Sequence, residues 1–204
     1  MISIRNLFDE AQDCQKCYGK NPIYVPYPDP NNAQESAEIL FVNERPGRIG
    51  TGKSGFVSFD NKDPSAQFFR ECFNSLKLDR KRVFITNACL CHPNFPEYTD
   101  KAPTKTEIVN CHEWLGRQLS IMKPKLIVTI GNIALKSMKL YFPSSEQLKS
   151  FKLMNDIGKV IRDTTPWVYP LYHTSRRGRI HRDAKKQKKD WLKILFILEE
   201  INGN

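Results

Sequence analysis

Four short apolar runs, at residues 39–42, 83–86, 126–130 and 167–172, constrain what this chain can fold into. Each is rich in β-branched or aromatic residues, bounded by turn or breaker residues, and shorter than an ordinary helix. That is the signature of a strand buried on both faces. Helical patterns lie between them, at residues 65–78, 104–122 and 132–141, and a final helix from about Asp183 buries Trp191, Leu195 and Leu198. Thr104-Lys105-Thr106-Glu107 has capping-box spacing, which fixes the second helix start near Thr104. Strands that alternate with helices pair in parallel beneath helices on both faces. The pattern predicts an α/β fold, a three-layer α/β/α sandwich around a central four-stranded parallel sheet. With no internal repeat and no low-complexity linker, a single domain spans residues 1–204.

Ligands of open parallel sheets bind beyond the carboxyl ends of the strands. The first run is followed there by Asn43-Glu44-Arg45-Pro46-Gly47, and the second by Asn87. The third is followed by Gly131-Asn132, and the fourth by His173-Thr174-Ser175. An acid, an amide and a histidine thus converge on one sheet edge from three strands. Taken singly, Asn87 could cap a turn, His173 could be a satisfied loop residue, and Glu44 could be a surface carboxylate.

Cysteine spacing adds a second constraint. Cys14 and Cys17 form a Cys-x2-Cys turn, while Cys91 and Cys111 stand far downstream, with Cys72 and Cys89 besides. One short turn plus two distant thiolates suits an iron–sulfur cluster; structural zinc more often takes two close-spaced pairs. From spacing alone, Cys89 and Cys91 are alternatives for the third ligand, and six unrelated reduced thiols remain the bland reading. The amino end, residues 1–12, reads as an amphipathic helix with Ile4, Leu7, Phe8 and Ala11 on one side, and has no signal-peptide core. No apolar run approaches a bilayer span, so no membrane partner is expected, and the compartment expected is the reducing cytoplasm.

Lys and Arg number 32 against 22 Asp and Glu, a formal charge of +10 that attracts polyanions. The excess concentrates between Arg176 and Lys193, including Arg176, Arg177, Arg179 and Arg182, immediately after His173. A solvated helix face is the ordinary meaning of such a run; its position beside the histidine suggests DNA phosphates.

Gly47-Arg48-Ile49-Gly50-Thr51-Gly52-Lys53-Ser54 matches the GxxxxGK[ST] phosphate-binding loop. A P-loop, however, opens directly into a helix, and Gly55-Phe56-Val57-Ser58-Phe59-Asp60 shows no helical period. No later strand ends in the acidic residue that would hold magnesium. A flexible basic loop near a phosphate backbone fits better than an NTPase.

Together these residues resemble the family 4 uracil-DNA glycosylases, over nearly the whole chain. Similar to that family are the Cys-x2-Cys turn, the Asn43-Glu44-Arg45-Pro46-Gly47 loop, Gly55-Phe56-Val57, and the second strand from Leu78 to Asn87. Further matches are Cys91-His92-Pro93, Cys111, the third strand through Gly131, and the last motif, His173-Thr174-Ser175. The resemblance implies a [4Fe-4S] cluster on Cys14, Cys17, Cys91 and Cys111, with Cys72 and Cys89 as inert thiols. It also implies a monomeric, monofunctional glycosylase acting on DNA, which extrudes a pyrimidine and hydrolyses its N-glycosidic bond. Asn43 and Phe56 would contact the base, Phe56 by stacking, and Asn87 would read its hydrogen-bonding edge. Glu44 would orient water, and His173 would donate to the departing base. The loop from His173 to Arg182 would grip the duplex, and the polar loop 92–103 would face DNA.

Three positions differ from the family pattern: Asn43 replaces a glycine, residues 48–60 lose the usual acidic residues and glycines, and Thr174 replaces a proline. Other readings compatible with the sequence are excision of a bulky modified cytosine from foreign (phage) DNA as a defence, a non-catalytic iron–sulfur DNA-binding protein, and a P-loop NTPase.

Overall fold

A computed structural model describes residues 3–95 and 101–203. In chain order the strands are β1 (Ile23–Tyr24), β2 (Tyr27–Pro28), β3 (Ile39–Asn43), β4 (Phe56–Val57), β5 (Val83–Asn87), β6 (His92–Pro93), β7 (Leu126–Ile130) and β8 (Trp167–Leu171). The helices are α1 (Ile4–Gln12), α2 (Thr51–Ser54), α3 (Pro64–Leu76), α4 (Lys105–Met122), α5 (Asn132–Tyr141), α6 (Glu146–Ser150), α7 (Leu153–Asp156), α8 (Arg176–His181) and α9 (Ala184–Gly203). The four expected strands form one parallel sheet in the order β5-β3-β7-β8. Small pairs flank it, β1 antiparallel to β6 and β2 parallel to β4.

Because successive side chains on a strand point to opposite faces, each strand feeds two cores. Leu40, Val42, Phe84, Ile127 and Val168 meet α1, α4 and α5 on one face. Ile39, Phe41, Ile85, Val128 and Tyr169 meet α3 and α9 on the other. There the Phe41 ring stacks on Trp191 with centroids 5.4 Å apart, and the Tyr169 hydroxyl donates to the Asp190 carbonyl at 2.9 Å.

Local chemistry explains the helix ends. Thr104 Oγ1 accepts from the Glu107 N–H while the Glu107 carboxylate accepts from the Thr104 N–H, so the capping box starts α4 as expected. The expected helix at 65–78 is shorter: Asp63 caps it, Pro64 takes its first position, and Lys77 ends it in a left-handed conformation with φ of 53°. The stretch after His173, expected as a loop, contains α8, begun by Ser175 Oγ accepting from the Gly178 N–H.

The chain leaves β3 towards α3 on one face, and leaves β5 and β7 towards α4 and α5 on the other. Connections that diverge in this way open a crevice at the carboxyl end of β3.

Candidate active site

Two hollows open at that crevice. The first, a cleft of about 390 Å³, is lined by Asn43, Phe59, Asp63, Asn87, His173 and Thr174, with the glycine-rich loop from Gly47 to Thr51 along one rim. The second, a groove of about 550 Å³, is lined by Glu44, His92, Lys101, Tyr172, Arg177 and His181. Arg45, Gly47 and His173 line both.

Asn43 and Asn87 end neighbouring strands in direct register. Asn87 is only 3% exposed, yet its side-chain Nδ2 finds no hydrogen-bond partner among the described residues. A buried amide donor left unpaired costs about 1–3 kcal/mol, and this one lines the cleft, where a ligand can reach it. Asn43 Nδ2 reaches the Thr86 carbonyl at 3.4 Å.

The His173 ring is fixed in one tautomer. Its Nδ1 accepts the Ser175 backbone N–H at 3.0 Å, which leaves the proton on Nε2 as a donor. Burial lowers its pKa, opposed in part by the charge of Asp63, so the ring stays neutral near pH 7. Two glycines set its position. Gly131 has φ of 92°, a left-handed conformation, and a Cβ there would lie 3.1 Å from the His173 Cβ. A Cβ on Gly178 would lie 1.8 Å from the His173 carbonyl oxygen, so α8 docks against this loop only through a glycine.

Glu44 stands on the groove side of His173. Burial pushes its carboxyl above the ordinary value of 4.5, restrained by the charges of Arg45 and Arg177. Its backbone carbonyl accepts from the Cys89 N–H at 3.1 Å, and that of Asn43 accepts from the Ala88 N–H at 2.8 Å. The loop leaving β5 is thereby fastened to the loop leaving β3.

That fastened loop leads to the cysteines. Cys91 and Cys111 are buried, and Cys14 and Cys17 half-buried just beyond α1, whose apolar face packs with α4 in one core. Burial pushes the Cys91 thiol up to about 12, and the charges of Cys111, Cys17 and Cys14 add to that rise while Arg45 opposes it. Asn110 Nδ2 donates to Cys17 Sγ at 3.4 Å. Cys89, expected to be an inert thiol, is buried at 1% exposure in the same core as Cys91 and Cys111. Among the described residues, no three cysteine, histidine or acidic side chains are yet drawn together to hold a metal ion. The donor set nevertheless fits an iron–sulfur cluster. It is all sulfur, drawn from three segments, with an amide aimed at one sulfur.

Several expected contacts fall elsewhere. Phe56, expected to stack on a base, is 37% exposed and does not line the cleft. Pairing of β4 with β2 turns Val57 and Phe59 inward, so Phe59 is the ring in the wall. Arg80 holds that ring from one side, 4.3 Å above its centroid. Of the four arginines expected on DNA, Arg179 donates to the Thr174 carbonyl at 2.5 Å and covers the Phe68 ring. Arg182 forms two 2.8 Å bonds to Asp190, whose side chain is 4% exposed. Both hold α8 to the body, while Arg176 and Arg177 are exposed. Of the loop 92–103, expected to face DNA, His92 is buried in β6 yet lines the groove together with Lys101, and residues 96–100 lie outside the described residues.

The GxxxxGKS segment is not a P-loop. The N–H groups of Gly52, Lys53, Ser54 and Gly55 already donate to the carbonyls of Gly47, Gly50, Gly50 and Thr51. The single turn of α2 ends at Gly55 and leads into β4. The four amides at the GKS end are therefore not available to cradle phosphate.

Two residues near the site escaped sequence reasoning. Asp63, a cleft carboxylate, carried the helix-start signal Asp-Pro, which was legible but unused. Arg45 pairs with Glu107, sixty-two residues away, and nothing local marks that contact.

The sequence as a whole points to one family. Residues 30–197 match the family model described as the uracil DNA glycosylase superfamily. A type-4 uracil-DNA glycosylase of Sulfurisphaera tokodaii is 33% identical over 85% of this chain and 74% of its own length. The Saccharolobus solfataricus protein of that name is 31% identical over 85% and 76%. That of Archaeoglobus fulgidus is 35% identical over 66% and 62%. With the α/β/α sheet and the strand-end residues in place, the match across most of its length makes this chain a member of the uracil DNA glycosylase superfamily.

Proposed function

We propose that the protein is a monofunctional DNA glycosylase that extrudes uracil from DNA and hydrolyses its N-glycosidic bond, leaving an abasic site. The unpartnered Nδ2 of buried Asn87, facing the same cleft as the His173 Nε2–H, carries the reading. Two fixed donors that find no acceptor among the described residues suit a base edge rich in carbonyl oxygens. A base seated in the cleft, against Phe59, would place its sugar towards His173 and the Glu44 groove.

Water oxygen then bonds to the sugar C1′ as the bond from C1′ to the base nitrogen breaks, and the bonding pair departs with the base. The His173 N–H stabilises the anion that collects on the base, and burial of the site strengthens that interaction. Glu44, ionised, orients the water, accepts its proton and favours the cationic sugar. Arg176 and Arg177 contact phosphates, and that binding offsets the few kcal/mol of unstacking. Cys14, Cys17, Cys91 and Cys111 would hold a [4Fe-4S] cluster that cross-links three segments. No step of the reaction passes through it.

The first cleft has no lysine, and Lys101 reaches only the groove. No Schiff base is therefore expected. The test is incubation with duplex and single-stranded DNA bearing uracil, thymine, cytosine and modified cytosines, with and without borohydride. Uracil release, abasic sites and no trapped covalent complex are expected. Release confined to a modified cytosine would replace the substrate named here. Binding without release of any base would mark a non-catalytic iron–sulfur DNA-binding protein. A trapped complex would assign Lys101 a chemical role.

A further inference from the structure

We infer that Arg45 is a positioning residue that locks the Glu44 loop onto the segments presenting the cysteines, so that those segments serve as the fixed frame on which Glu44 is placed. The inference rests on the glycosylase reading above.

Arg45 follows Glu44 directly, but its side chain turns inward and is only 8% exposed. Arginine is almost never buried so deeply unless paired. Its Nη2 lies 2.5 Å from Glu107 Oε1 and 3.4 Å from the Tyr18 hydroxyl, which itself donates to Glu107. Tyr18 is the residue after Cys17. Glu107 precedes Cys111 by one helical turn on the same side of α4. One guanidinium therefore ties the Glu44 loop to both the Cys-x2-Cys turn and the Cys111 helix. The third cysteine segment is tied to the same loop through the backbone, by the Cys89 N–H on the Glu44 carbonyl and the Ala88 N–H on the Asn43 carbonyl.

The charges are arranged to keep this lock closed. Burial alone would raise the Glu107 pKa, but hydrogen bonds from Tyr18, the Thr104 N–H and Arg45 hold it down to about 2. Both contacts are made by the one Nη2 nitrogen, at the end of a planar, rigid group that a flexible ammonium stem reproduces only in part. Arg45 lines both hollows, yet its guanidinium is committed to Glu107 and Tyr18 and acts on Glu44 by placing it.

The test compares wild type, Arg45→Lys, Arg45→Met and the double variant Arg45→Met/Glu107→Gln, each with its metal, on uracil-containing duplex. Base release is followed as kcat and KM across pH, beside iron content and cluster absorbance. For Arg45→Met we expect retained iron, KM within about threefold, and kcat lower by about 100-fold, the scale of a 1 Å misplacement. The acid limb should move to higher pH. Glu44 faces Arg45, Arg177 on α8, and the groove residues His92, Lys101, His173 and His181, so loss of Arg45 removes one of its two restraining cations. Arg45→Lys should recover part of kcat. The double variant leaves no unpaired carboxylate at position 107 and should fold if Arg45→Met does not, with the same loss of kcat. A folded, iron-loaded variant with wild-type kcat and an unmoved acid limb overturns the inference. So does a loss of activity matched by loss of iron in both variants. If wild type releases no base, the glycosylase reading fails and takes this inference with it.

Discussion

Asn87 shows what one side chain can disclose. Folding normally pairs every buried polar atom, and this strand end retains one that is unpaired beside a neutral histidine of fixed tautomer. Stability and function should therefore oppose each other at this residue. Replacing Asn87 by Leu, close in volume and without polar atoms, should stabilise the folded state by about 1 kcal/mol. The same change should lower uracil release at least about 100-fold. Thermal unfolding read beside single-turnover base release checks both signs; a variant that is less stable and still active would sink the assignment. Position 87 was legible in the sequence because it ends an apolar run. Phe56 misled because which of Phe56 and Phe59 turns inward is set by pairing with β2, about thirty residues earlier, and no local pattern records that register.

At the scale of elements, α8 divides an arginine run that looks uniform in sequence. The sequence shows charge but not direction: helical rotation sends Arg179 inward, the extended residue Arg182 just past the helix turns in to Asp190, and Arg176 and Arg177 face solvent. The two kinds should respond differently. Arg177→Ala should weaken DNA binding and reduce the slope of log affinity against log salt by about 1, with the melting temperature unchanged. Arg182→Ala leaves the buried Asp190 carboxylate without its partner and should destabilise the fold by about 1–3 kcal/mol with the salt slope unchanged. DNA titrations at several salt concentrations and thermal melts separate them; matched behaviour of the two variants would contradict this division. The strands and α4 were legible for the opposite reason. Their signals, an apolar run or a capping box, are local and agree with where the element ends. α2, α8 and the short strands pairs β1–β6 and β2–β4 have too few residues to show a period.

For the molecule as a whole, the parallel sheet separates two cores with different dependence on the cysteines. One contains α1, α4, Cys91 and Cys111, and the other, under α3 and α9, contains none of the proposed metal ligands. Removing iron by chelation should loosen the first and spare the second. Hydrogen exchange is expected to rise at residues 14–18, 43–45, 88–91 and 105–111, and to stay low in β8 and α9, while uracil release is lost. Uniform exchange across the chain would mean that the metal supports the entire fold, and unchanged exchange with full activity would remove it from the structure. The sheet and the strand-end residues could be read from sequence because each is a local event. The ties from Arg45 to Glu107 and from Cys89 to Glu44 join segments about forty to sixty residues apart, and only the folded chain shows them.

The two glycines that enclose the His173 loop bear on how this protein can change by descent. Neither Gly131 nor Gly178 carries a functional group, yet one needs a positive φ and the other leaves no volume for a methyl group. Each is closed to every other residue while the loop keeps its present course. New substrate preferences are therefore expected on the opposite wall, along residues 47–49 and 57–62, which leaves out Gly50, where a Cβ would meet the Asp63 carboxylate at 2.2 Å. The cleft has one rigid jaw and one that selection is free to reshape.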